Sequence, residues 1–421
     1  MQENNRAIVL GIHLTSEENS RETAEYSLTE LKELAETAGL DVVAESLQNR
    51  PKLDPTYAAG KGKLNEISEL AEALEAETLV LDLNLSGSQM RNISELTGLK
   101  IIDRTLLILD IFALRATTME GRLQVEIAQL NDRATRLIGA GLALSRLGGG
   151  IGTRGPGETQ LETDRRHIQR RIKTLKYRLK ELGKRRQLTR ENRVKNQLIT
   201  GAIVGYTNAG KSTLINALCE SDLFTLDQVF ATLDPTTRRI KNSDIPILLI
   251  DTVGFIRKLP HQLIEAFKST LEEVSYADFI VQVTDISDPE FGTQMDIAER
   301  QLEALAADSK PRIHVFNKID LVDWQIIDQI KQTNRHSAKQ IFVSARDGRG
   351  LTDLKQAINE LPKSQMLPFH LTIPFDQSKI VSELRNVAYI DNVEYTEQGT
   401  EISFRIHQGH LGIIKPLLQQ F

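Results

Sequence analysis

Residues 205–212 read Gly-Tyr-Thr-Asn-Ala-Gly-Lys-Ser, with the apolar run ITGAIV directly before them and the amphipathic run TLINAL directly after. That spacing, G-x-x-x-x-G-K-[ST], demands a strand that stops, a loop whose backbone amides turn inward, and a helix that starts at Lys211. A chain built around it belongs to the α/β class, with a mostly parallel sheet and helices on both faces. Gly205 and Gly210 free the loop backbone to face phosphate oxygens, and the helix adds its positive end. Lys211 spans the terminal phosphates and the Ser212 hydroxyl suits Mg2+. A second glycine-rich run, Gly148 to Gly157, is not equivalent, because no G-K-[ST] follows it and Pro156 lacks a donor amide.

Three later motifs narrow the ligand. The run IPILLIDTVGF ends an apolar strand with Asp251, Thr252, Val253 and Gly254, placing a carboxylate for Mg2+ and a backbone amide that can sense a γ-phosphate. The run RIHVFNKID ends another with Asn317, Lys318, Ile319 and Asp320. A carboxylate at 320 can accept from both N1–H and the 2-amino group of guanine, which adenine cannot supply. A wrong base leaves buried polar groups unsatisfied, a discrimination on the order of 10⁴. The run QIFVSARDG then offers Ser344, Ala345 and Arg346, where a backbone amide can meet the guanine carbonyl. Four motifs in this order, each at the carboxyl end of an apolar run, predict a crevice for GTP or GDP at the edge of an open α/β sheet.

The 421 residues predict several domains. Residues 1–109 alternate short apolar runs with amphipathic stretches and predict a small α/β domain. Residues 110–196 predict a helical hairpin: a helix from about Asp110 to Arg146, a glycine joint, and a charged helix from about Thr159 to Leu188. Residues 197–362 hold the four motifs, LPKSQMLP is read as a linker, and residues 363–421 predict a small α+β domain with a hairpin turning near Gln398 and Gly399 and a terminal helix. Cys219 is the one cysteine and the eight histidines are scattered, which excludes an intrachain disulfide, disfavours structural zinc and fits a reducing cytoplasm. The apolar start of the chain reads as a first strand rather than a leader, and no membrane span is expected.

Net charge is −5, yet residues 165–195 carry fourteen Lys or Arg against Glu181 and Glu191. Such a stripe repels itself unless a polyanion neutralises it, which points to nucleic acid. Candidate RNA contacts are Arg154, Arg165, Arg166, Arg170 and Arg171.

Together, GYTNAGKSTLINAL, VFATLDPTTRRI, IDTVGFIRKLP, TYAAGKGKLNEI and above all GGGIGTRGPGETQLETDRR resemble the HflX family of ribosome-associated GTPases over nearly the whole chain. The resemblance implies a GTP-hydrolysing switch that binds the 50S subunit and its 23S ribosomal RNA and helps split or rescue stalled ribosomes under stress. It implies a monomer off the ribosome, located in the cytoplasm with peripheral membrane association left open. It aligns Thr232 with the first-switch threonine, a second Mg2+ ligand, with Thr236 and Thr237 as competitors. Its nucleotide contacts would be Gly205, Tyr206, Thr207, Asn208, Ala209, Gly210, Lys211, Ser212 and Thr213, then Phe230, Ala231, Thr232, Leu233 and Asp234, then the three later motifs. Lys211, Thr232 and Gly254 would serve hydrolysis. Asn208 is similar to the asparagine that helps hold K+ beside the β,γ-phosphates in related GTPases.

Many small GTPases place a glutamine after the D-x-x-G glycine to orient the attacking water. Phe255 stands there, which predicts slow turnover completed by a partner. Two other readings remain at this point: an RNA remodeller with an ATP site around Lys61 and Lys63, and a GTPase partner of an RNA-modifying enzyme.

Overall fold

A computed structural model describes residues 5–16, 21–147, 156–195, 198–219, 236–241, 246–258, 272–333, 339–364 and 366–407. The chain divides into two compact units; the first comprises the described residues up to 182 together with 257 and 258, and the second the remainder.

In the first unit, β1 (Arg6–Leu14), β2 (Asp41–Arg50), β3 (Thr78–Leu81) and β4 (Lys100–Asp103) form a parallel sheet in the order β2-β1-β3-β4. The connections are α1 (Arg21–Thr37), α2 (Lys61–Ala73) and α3 (Gly87–Thr97), and α4 (Arg104–Arg115) follows β4. Side chains alternate along a strand, so Ile8, Leu10, Leu79 and Leu81 meet Leu64 and Ile67 of α2 and Ile93 of α3 in one core. The first turn of α3 is closed by a capping box between Ser86 and Gln89, and Gly98 ends the helix at φ 72°.

The helix expected to begin near Asp110 is two helices. Asp110 lies within α4, whose Leu107, Ile108, Ile111 and Phe112 are buried, and Ala116 leaves helical geometry at ψ 102°. A new helix, α5 (Met119–Leu147), starts where the Thr118 hydroxyl accepts the Gly121 amide at 3.0 Å. The following helix, α6 (Pro156–Lys195), is longer than the expected segment at both ends. Leu123 and Ile127 of α5 pack against Leu175 of α6, flanked by Leu130, Ile172, Leu179 and Leu182. Arg171 reaches back to Glu126 at 2.7 Å. The predicted hairpin is therefore held by an apolar seam. The glycine-rich joint, Arg154 included, lies outside the described residues.

The second unit holds a six-stranded sheet, β10-β9-β8-β5-β7-β6. Its strands are β5 (Ile199–Gly205), β6 (Thr236–Arg239), β7 (Ile247–Asp251), β8 (Phe279–Asp285), β9 (Arg312–Asn317) and β10 (Lys339–Phe342), all parallel except β6 against β7. Helices α7 (Lys211–Leu218), α8 (Phe291–Ala304), α9 (Trp324–Thr333) and α10 (Leu351–Ser364) accompany it. β5 is buried throughout, as a strand flanked on both sides and covered on both faces must be. The stretch LPKSQMLP is not a linker. α10 runs through Pro362 to Ser364, and β11 (Met366–Ile373) takes in Pro368. A proline is tolerated there because β11 is hydrogen-bonded in the sheet on one side only, to β13 (Gly399–His407), which in turn pairs with β12 (Tyr389–Thr396). α11 (Ser378–Val387) covers this antiparallel sheet through Ile380 and Leu384, over Ile402, Phe404 and Ile406. The expected terminal helix lies outside the described residues.

Buried charge in the first unit sits on Arg104, 1% exposed, which pairs with Glu30 at 3.0 Å and Asp82 at 2.8 Å. Lys258 lies 2.6 Å from the same Asp82. Removing Arg104 takes the guanidinium from two buried carboxylates and leaves Asp82 with Lys258, so Arg104→Ala is expected to destabilise this unit by about 3 kcal/mol. Amide exchange in β1 and β3 is the check: protection there should fall by a matching amount, and unchanged protection would contradict the assignment.

Candidate functional site

The candidate site occupies the carboxyl ends of β5, β7, β8 and β9, the crevice of an open α/β sheet. Gly205 ends β5 at φ 151°, with the Val283 carbonyl oxygen 2.1 Å from where a Cβ would stand. Gly210 opens α7 at φ 85°, where a Cβ would meet Asn317 Nδ2 at 2.3 Å. Neither position accepts a side chain, so both glycines are required by contact as well as by torsion. Between them Asn208 is exposed and adopts φ 62°, a left-handed conformation asparagine tolerates.

Lys211, 7% exposed, folds over this loop and donates to the carbonyls of Gly205 at 3.1 Å and Tyr206 at 2.7 Å. Burial pushes its ammonium down to about 8, and the Asp251 carboxylate offsets this only in part. Ser212 Oγ donates to Asp251 Oδ2 at 3.2 Å, so the two oxygen ligands expected from sequence stand together. A hydroxyl and a carboxylate are hard donors of the kind Mg2+ takes when phosphates and water complete its shell. Among the described residues no cluster of three or more His, Cys, Asp or Glu could hold a metal alone. Thr213 is half-buried in the first turn of α7.

The strand end after Asp251 runs against the loop. Thr252 is fully buried and donates to the Ile203 carbonyl at 2.6 Å, and Val253 is buried beside it. At Gly254 a Cβ would lie 2.8 Å from Thr207 Cγ2 and 2.9 Å from Lys211 Nζ. The Phe255 amide donates to the Gly205 carbonyl at 3.0 Å, and the Thr207 amide to the Phe255 carbonyl at 2.8 Å. Phe255 is 2% exposed, so its ring is a core side chain.

Of the threonines weighed for the first switch, Thr232 lies outside the described residues, as do Phe230, Ala231, Leu233 and Asp234. Thr236 heads β6 opposite Asp251 in the antiparallel register, and its hydroxyl is buried with no hydrogen-bond partner among the described residues.

The guanine motif surrounds Asn317, which sequence reasoning placed at the base and which does something further. Its Nδ2 donates to the Ala209 carbonyl at 2.9 Å, and its Oδ1 accepts the Ala345 amide at 3.0 Å. One buried side chain thus ties the phosphate loop to the loop after β10. Lys318 follows at φ 63° and opens the single turn Ile319–Leu321, which carries Asp320. Ser344 is fully buried and Arg346 exposed. One contributor was missed: Asp285, whose Oδ2 is 2.7 Å from Lys318 Nζ. Its signal was available, an acidic residue ending the apolar run FIVQVTD. Around the start of α2, the Gly60 amide is taken by Gln48 at 2.8 Å and Lys63 by Glu66 at 2.6 Å.

On α6, Arg165, Arg166, Arg170 and Arg171 are exposed. Arg166 has Glu162 at 3.8 Å and Arg171 has Glu126.

Family models match three stretches: one described as GTP-binding GTPase N-terminal over residues 25–113, one as GTP-binding GTPase Middle Region over 115–193, and one as 50S ribosome-binding GTPase over 200–318. A GTPase HflX from Caldanaerobacter subterraneus is 44% identical over 402 residues, 95% of this chain and 91% of that protein. The GTPase HflX of Escherichia coli is 39% identical over 95% of this chain and 93% of its own length. Among solved structures, a GTP-binding protein from Sulfolobus solfataricus in complex with GDP is 24% identical, covering 86% of this chain and 99% of that one, with a TM-score of 0.46.

Two outcomes follow from this geometry. Below pH 8 the empty loop presents a charged Lys211 to phosphate, and above it a neutral amine, while bound phosphate restores the proton. GDP affinity is therefore expected to be flat below pH 8 and to fall by about tenfold per pH unit above it. Titration of Lys211→Arg, which keeps its charge, should lack that break. Phe255→Gln would place an amide in the core rather than beside a reacting water. Its GTP turnover should not exceed the parent rate by more than about twofold, and a rise of several orders of magnitude would refute this account of Phe255.

Proposed function

The chain belongs to the HflX family of GTPases, and from that premise we propose that GTP binding and hydrolysis switch its affinity for the large ribosomal subunit. The observation that carries the ribosomal part is the exposed arginine face of α6, within a segment of fourteen basic residues against two acidic ones. A surface of that kind binds the phosphate backbone of RNA and releases counterions. Residues 110–196 form the RNA-contacting arm in this reading, with Arg154 among its contacts; residues 1–109, 197–362 and 363–421 are the flanking domains. Splitting or rescue of stalled ribosomes is the task proposed for the switch.

In the nucleotide site Lys211 spans the terminal phosphates, and Ser212, Asp251 and Thr232 would hold Mg2+, which would neutralise phosphate charge. The Gly254 amide meets the γ-phosphate, so the D-T-V-G strand end reports its presence. Asp320 accepts the guanine edge and Asn317 braces it. Asn208 would help hold K+, which would supply positive charge otherwise given by an arginine finger. With Phe255 in the core, the group that orients water comes from the bound ribosome, and turnover alone is slow.

The test is GTP turnover in KCl with and without 50S subunits, using the parent and a variant with Arg165, Arg166, Arg170 and Arg171 changed to Ala. Stimulation of about tenfold or more is expected for the parent and not for the variant. The slope of log affinity against log salt should shrink by about one for each arginine lost. Absence of stimulation would refute the ribosomal reading, full stimulation of the variant would remove the arginine face of α6 from the contact, and equal rates in KCl and NaCl would remove K+ from the site.

A further inference from the structure

Asp285 ends β8 beside Asn317 in the parallel register, at the same level of the sheet as the guanine motif. Its two carboxylate oxygens have separate tasks. Oδ1 accepts the Ser287 amide at 2.9 Å and the Ser287 hydroxyl at 2.6 Å, which fixes the plane of the group. Oδ2 faces Lys318 Nζ at 2.7 Å. The pair is three-quarters or more shielded, with Asp285 12% and Lys318 25% exposed. Water therefore screens the attraction less than it would on an open surface.

Lys318 is an unusual residue to fix in this way. Its φ of 63° is strained for a side chain with a Cβ, and it is held there because the Ile319 amide donates to the Val343 carbonyl at 3.3 Å and the Leu321 amide returns to Lys318 itself at 3.0 Å. Backbone torsion sets the root of the side chain, but four methylenes leave its tip free to swing into solvent unless something captures the ammonium. Asp285 captures it. The stem between root and tip is then a fixed apolar edge, between Asn317, which is tied to the phosphate loop, and the turn that carries Asp320.

We infer that Asp285 is a positioning residue for nucleotide binding: by holding the Lys318 ammonium it lays the lysine stem along the purine, so that Asp320 meets a base already confined to its plane. This deepens the proposed function and rests on Asp320 as the guanine acceptor. An ordering role predicts a particular pattern of affinities. The carboxylate should matter only while Lys318 has an ammonium to hold, and a longer carboxylate should substitute for it in part.

Equilibrium titration of the full chain with a fluorescent GDP analogue tests this through Asp285→Asn, Asp285→Glu, Lys318→Met and the Asp285→Asn/Lys318→Met pair. Asp285→Asn should weaken binding about tenfold, and Asp285→Glu should stay within about threefold of the parent. In the Lys318→Met background, Asp285→Asn should add nothing further. Parent-like affinity in Asp285→Asn, or an undiminished loss in the Lys318→Met background, would overturn the inference, because either makes the carboxylate independent of the lysine. Asp320→Asn separates the two levels. An amide at 320 donates where the carboxylate accepted, so this variant should exchange GDP for XDP. Failure of that exchange refutes the guanine reading itself, whereas a clean exchange alongside an additive cycle sinks Asp285 alone.

Discussion

Backbone must come within hydrogen-bonding reach of phosphate, and side chains must be kept out of the way; the rest of the second unit follows from that constraint. Gly205, Gly210 and Gly254 stand at the three points where a Cβ would strike, respectively, the Val283 carbonyl, the Asn317 amide and Thr207 with Lys211. The residues around these glycines are packed, with Tyr206, Ala209, Val253 and Phe255 buried. Cross-links add to that packing: Phe255 bonds to Gly205, Thr207 bonds back to Phe255, and Asn317 bonds at once to Ala209 and Ala345. Each such bond contributes about 1 kcal/mol net. Losing the Asn317 side chain would cost more, because it would leave two buried partners unsatisfied.

The same loop sets the electrostatics. Lys211 is enclosed by the loop it serves, and enclosure penalises its charge. The two carbonyls it contacts accept its hydrogen bonds and order the side chain. Asp251 favours the cation, yet it is also the carboxylate that faces the Ser212 hydroxyl. In the proposed site, phosphate would compensate Lys211 and Mg2+ would compensate Asp251. On that proposal, binding of nucleotide and metal would be coupled through one pair of side chains.

Much of this was legible in the sequence, because the motif GYTNAGKS dictates strand, loop and helix over a short span and the later motifs each close an apolar run. The alternation of apolar runs in residues 1–109 likewise matched the β1 to α3 succession, and the apolar stripe Leu123, Ile127, Leu130 found its complement in Ile172, Leu175 and Leu179. What escaped has a common cause: it depends on pairings between residues far apart in the chain. Asn317 reaches Ala209, Asp285 reaches Lys318, and Arg104 reaches Glu30 and Asp82, and none of these follows from local pattern. Local rules also misled at the prolines. Pro362 and Pro368 read as punctuation, but Pro362 costs α10 a single amide donor two residues before its end, and a proline on a strand paired on one side removes little that was needed.

The basic helix gathers positive charge that its apolar seam does not require. The apolar seam with α5 uses Ile172, Leu175, Leu179 and Leu182, which commits one face of α6 and turns the arginines and lysines outward. Glu126 and Glu162 answer two of those charges at the surface, where an ion pair contributes at most about 1 kcal/mol. Helix propensity favours Lys and Arg at exposed positions, so the helix forms in spite of the repulsion. Stability alone would have been served as well by interspersed glutamates, which the rest of this net acidic chain has in plenty. Positive charge gathered on one rigid rod, with its apolar side already occupied, makes sense when the rod's outward face meets a polyanion whose counterions it can displace.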